Sequence, residues 1–81
     1  MNHWKPAGVV VEGNPISIGG LNPWDFEWRR VQDEPVQLPH PSYPNQIHMM
    51  HVYEVDGNGR KVRFATGELS ANVWGFYVPA G

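Results

Sequence analysis

The chain has 81 residues, no cysteine, a net charge of −2 and 41% hydrophobic residues, which describes one small folded domain with no disulfide to staple it. Charged residues make up 17% and aromatics 12%; with so little charge to cover a surface, self-association or an occupied cleft is the first expectation. Four Trp, three Tyr and three Phe speak against disorder, no apolar run approaches the ~20 residues that cross a bilayer, and residues 1–5 are not followed by the apolar stretch of a signal peptide, so the expected place is the cytoplasm.

Nine Gly and eight Pro cut the chain into pieces too short for long helices. The pieces between them are rich in β-branched and aromatic residues, and they predict five or six short strands over residues 7–12, 24–32, 35–38, 47–55, 60–66 and 73–78. Gly8 and Gly75 fall inside the first and last of these, where a glycine marks a bulge or a close backbone approach.

The second segment carries two competing patterns. Trp24, Phe26 and Trp28 alternate with Asp25, Glu27 and Arg29 as in a half-buried strand. Asn22 as an N-cap, Pro23 at the first helical position, and Leu21, Trp24, Trp28 and Val31 at helical spacing describe a helix instead. Aromatic content and alternation favour the strand. Residues 35–44 then contain four prolines, which make a stiff connection rather than a floppy linker.

The Asp56-Gly57-Asn58-Gly59 run lies between two strand-like segments and supplies residues that tolerate positive φ, so a hairpin is expected here. Pairing Val55 with Arg60 places Glu54 opposite Lys61, Tyr53 opposite Val62, Val52 opposite Arg63 and His51 opposite Phe64. Tyr53, Val62, His51 and Phe64 then share a core face, with Glu54 and Lys61 on the other. With no repeat and no shift in composition, residues 1–81 read as one all-β domain, a small barrel or a two-layer sandwich of mostly antiparallel strands.

Three groups of residues could carry function. The aromatic surplus is the heaviest signal: Trp24, Trp28, Trp74, Phe76 and Tyr77 are offered as a binding set lining a surface or an inter-subunit cleft. Trp74, Phe76 and Val78 fall on one face of the last strand and Tyr77 on the other. His40, Tyr43, Gln46 and His48 form a second group around the proline-rich turn, and His40, Tyr43 and His48 are the candidates for binding and proton transfer in a small enzyme. His48 and His51 point to opposite faces of a strand, so the pair does not chelate one ion, and no metal or other cofactor is expected. Arg60, Lys61 and Arg63, with Arg29 and Arg30, are the basic residues a single-stranded nucleic acid would use. An acidic chain with six basic residues is poor chemistry for a phosphate backbone.

The glycine pairs match no phosphate loop, and the serines sit in no nucleophile elbow. The resulting expectation is a non-catalytic binding or interaction module that acts as a homo-oligomer and takes a small organic ligand or a protein partner. The enzyme on His40, Tyr43 and His48 and the nucleic-acid binder are its alternatives.

Overall fold

In the computed structural model residues 3–81 are described, and the first two residues of the stretch read for a targeting signal lie outside them. Six strands carry the fold: β1 (Trp4–Val11), β2 (Arg29–Arg30), β3 (Val36–Pro39), β4 (Ile47–Gly57), β5 (Arg60–Ser70) and β6 (Val73–Pro79). They form one antiparallel sheet in the order β1-β6-β5-β4-β2, with β3 also paired to β4. The protein is therefore all-β, as its composition predicts, and among the described residues no helix is long and apolar enough to cross a membrane.

The β4–β5 hairpin turns on two residues. Asn58 (φ 52°) and Gly59 (φ 78°) both adopt the left-handed backbone that a two-residue turn between twisted strands requires. Gly57 therefore pairs with Arg60, Tyr53 with Phe64, Glu54 with Arg63 and His51 with Thr66. This corrects the expected register by two residues on one strand. Because side chains alternate with a period of two, the slip preserves the faces while changing the partners: Tyr53, not His51, sits opposite Phe64, and Glu54 meets Arg63 rather than Lys61.

Both faces of the sheet are packed. On one, Val55, Phe64 and Phe76 meet Ile18 and Leu21 from the segment that follows β1, with Trp24, Phe26, Trp28, Tyr53, Val62 and Trp74 around them. On the other, Leu38 of β3 closes over Met50, Val52, Ala65 and Tyr77. On this second face the Tyr77 hydroxyl of β6 donates to the Pro39 carbonyl of β3 at 2.7 Å, a side-chain latch between two strands that do not pair with each other.

Residues 24–32 do not form the expected strand. Asn22 caps a single 3-10 turn, Pro23–Asp25, its side chain accepting from the Trp24 amide at 3.3 Å. Only Arg29–Arg30 pairs in the sheet, with Tyr53 and Glu54. The cap and the proline at the first position decide the local geometry. The Trp28 indole then donates back to the Pro23 carbonyl at 2.7 Å. The segment lies across the sheet as a cover, so Trp24, Phe26 and Trp28 can all reach one core without strand geometry.

The two strand glycines behave as predicted. The β1–β6 register shifts between Pro6 and Gly8. A Cβ at Gly75 would stand 2.9 Å from the Leu69 side chain, so Leu69 packs directly on the β6 backbone.

Candidate functional site

The proline-rich stretch folds into a stiff tip between β3 and β4. Pro44 and Asn45 occupy the centre of a turn in which the Gln46 amide donates to the Tyr43 carbonyl at 2.9 Å, and the His40 amide closes the loop on the Gln46 carbonyl at 2.8 Å. The His40 ring takes part in the turn itself, its Nδ1 accepting from the amides of Ser42 at 2.9 Å and Tyr43 at 3.3 Å. These bonds hold the imidazole over the loop.

The three residues put forward for an enzyme site do come together at this tip. The His40 ring lies 4.9 Å from that of Tyr43 and 5.6 Å from that of His48, centroid to centroid, and His48 Nε2 approaches the Gln46 side-chain oxygen at 3.5 Å. The chemistry available to them is narrow. With both amides aimed at Nδ1, the neutral His40 ring carries its proton on Nε2 and has no free acceptor nitrogen for a general base. A surface groove runs away from these rings, along Glu27, Trp28, Arg29, Glu54 and Asp56.

Among the described residues, the same tip carries the largest exposed apolar side chains. Tyr43 and Ile47 are each 58% exposed and Met49 is 56% exposed. Ile47 and Met49 alternate along β4, with Pro39 and Gln37 opposite them on β3, so they share one face of the hairpin. That face lies beyond the cover formed by residues 14–28. Val9 and Val11 make a smaller exposed pair on β1.

The aromatic residues proposed as a binding set are largely spent on the interior. Phe76 and Tyr77 are 0% and 1% exposed and offer no surface in this chain. Trp24, Trp28 and Trp74 are half-buried and pack on one another, tilted for Trp24–Trp28 and edge-to-face for the other two pairs, with centroid separations of 5.2 Å for Trp24–Trp28, 5.7 Å for Trp24–Trp74 and 6.0 Å for Trp28–Trp74. Trp28 also packs against Phe64 at 5.2 Å and Tyr53 at 5.2 Å. The Trp74 indole is tied to Glu12 at 2.9 Å. One sequence signal could have pointed to the tip instead: Ile47 and Met49 stand at alternate positions directly after a proline turn.

Several basic residues are already engaged. Arg29 bonds Glu54 and, at 3.1 Å, Asp56, whose hydrogen bond is the main cause that raises the guanidinium pKa above its ordinary value, with Glu54 second. Arg63 reaches the other Glu54 oxygen at 3.4 Å. Arg60 donates to the Gly19 carbonyl, and Arg30 lies 5.6 Å over the Tyr53 ring. His48 and His51 fall on opposite faces of β4, and among the described residues no group of three or more His, Cys, Asp or Glu is placed to hold a metal.

Comparison with known proteins finds no matching family model, no similar curated protein and no similar solved structure.

Proposed function

We propose that this protein is a small non-catalytic interaction module that acts as a homo-oligomer through the tip of the β3–β4 hairpin. The observation that carries this reading is the pair Ile47 and Met49, each more than half exposed on one face of β4, directly after a loop that is stiffened by proline and by the His40 hydrogen bonds and that exposes Tyr43 as well. A rigid loop loses little entropy on binding, and exposed aromatic and Met side chains are the residue types enriched where protein surfaces meet. The partner is a second copy of the chain, because a chain with so few charged residues gains by covering its own apolar surface.

The test is sedimentation of the wild type beside Ile47→Lys and Met49→Lys, with circular dichroism to confirm that the sheet is intact. Both side chains project to solvent, so the variants are expected to fold and to sediment as monomers where the wild type is a multimer. A wild type that stays monomeric at high concentration, or variants that associate as well as it does, would refute the proposal.

The enzyme reading keeps one observation in its favour, the convergence of His40, Tyr43 and His48. A turnover that disappears in His48→Gln while the multimer persists would select that alternative.

A further inference from the structure

We propose that Asn58, at the tip of the β4–β5 hairpin, is a site of spontaneous covalent modification, deamidation through a cyclic imide. In this reaction the backbone nitrogen of Gly59 attacks the Asn58 side-chain carbonyl carbon. A carbon–nitrogen bond forms, the bond to Nδ2 breaks, and ammonia leaves with the proton given up by the Gly59 amide. Water then opens the imide at one of its two carbonyls, leaving aspartate or its isoaspartyl isomer. Water is the co-reactant and hydroxide promotes the first step.

The structure assigns this chemistry to one of the chain's asparagines. Asn58 is the only one followed by glycine, so no side chain on the next residue hinders ring closure, and the space where a Cβ of Gly59 would stand is open to 4 Å. Asn58 and Gly59 are both exposed. They are the two central residues of the turn, the part of a hairpin that opens at the lowest free energy and so reaches the backbone angles that ring closure needs. Asn72 is the built-in control. It has the same left-handed backbone (φ 62°) and is also exposed, but it is followed by the branched Val73, which crowds the attacking nitrogen, and its own backbone N–H donates to the Glu68 carboxylate at 3.0 Å, which ties down the turn. Asn14 and Asn22 precede proline, whose nitrogen has no proton to lose.

The two products differ in consequence. Aspartate adds one negative charge to a chain of net charge −2, next to Asp56. Isoaspartate lengthens the backbone inside a turn that has only two residues and needs positive φ at both, which disturbs the Gly57–Arg60 pairing and, behind it, the register of Tyr53 with Phe64.

The experiment is to incubate the full-length protein at mildly alkaline pH and follow it by ion exchange and peptide mapping. The expected result is a more acidic species that maps to residue 58, forms faster in proportion to hydroxide, and contains both aspartyl and isoaspartyl products. The isoaspartyl form melts below the aspartyl form, and Asn72 stays an amide. Asn58 remaining intact while a free peptide of residues 54–62 deamidates under the same conditions would overturn the proposal, as would an acidic species that maps to Asn72 or Asn45.

Discussion

Phe76 separates an interior aromatic cluster from an aromatic binding surface. Its ring is 0% exposed and lies 5.6 Å from both Trp24 and Phe64 and 6.0 Å from Trp28, centroid to centroid. Phe76→Ala removes a fully buried ring and leaves a cavity, and such truncations cost about 3–5 kcal/mol. A domain of this length has a stability on the order of 4–12 kcal/mol, so the loss takes a large share of it. At roughly 4–8 °C per kcal/mol for a domain of this size, the midpoint should fall by about 12–40 °C. Phe76→Leu keeps most of the apolar volume and should lose roughly half as much or less. The assay is thermal and urea unfolding of both variants in dilute and concentrated solution. An interior role gives the same drop relative to wild type at both concentrations. A variant that keeps its midpoint and only changes its state of association would refute the reasoning and return Phe76 to a surface.

Tyr77 links the fold to alkaline pH. Burial raises its pKa above the ordinary tyrosine value, and the neutral hydroxyl donates the latch bond to Pro39. With the folded pKa above the unfolded one, its stabilising contribution is complete below pH ~10 and is lost as pH rises towards the folded value. Melting curves across that range should show the decline, and Tyr77→Phe should flatten it while lowering the midpoint at neutral pH; an equally steep decline in the variant would remove Tyr77 as the cause. Gly59→Ala places a side chain at φ 78° and should destabilise the hairpin by about 1–2 kcal/mol, read by urea denaturation. An unchanged midpoint would show that the turn does not need its left-handed residue.

The parts of the structure legible in the sequence are those with a local cause. Asn58-Gly59 carries its own backbone preference, and the alternation along β4 and β5 carries the choice of faces. Gly8 and Gly75 announced the bulge and the close approach. The exact hairpin register was not legible, since two registers two residues apart present the same faces, and only the requirement for positive φ at both turn positions separates them. Residues 24–32 misled because Trp24, Phe26 and Trp28 reach one core from an irregular cover as well as from a strand. The N-cap of Asn22 and Pro23 was visible and decided the outcome. At the candidate site, the meeting of His40, Tyr43 and His48 followed from the stiffness of the proline turn. The burial of Phe76 and Tyr77 was not legible, because it depends on residues 14–28 and on β3 covering opposite faces of one sheet, a long-range fact with no local signal.

The central claim is that the exposed tip of the β3–β4 hairpin is covered by a second copy of the chain. Native mass spectrometry of the gently purified wild-type protein tests it most directly, since one spectrum reports the number of subunits and any retained small molecule. The account predicts a multimer, dissociated by Met49→Lys. A bare monomer at every concentration, with the same spectrum for wild type and variant, would contradict it.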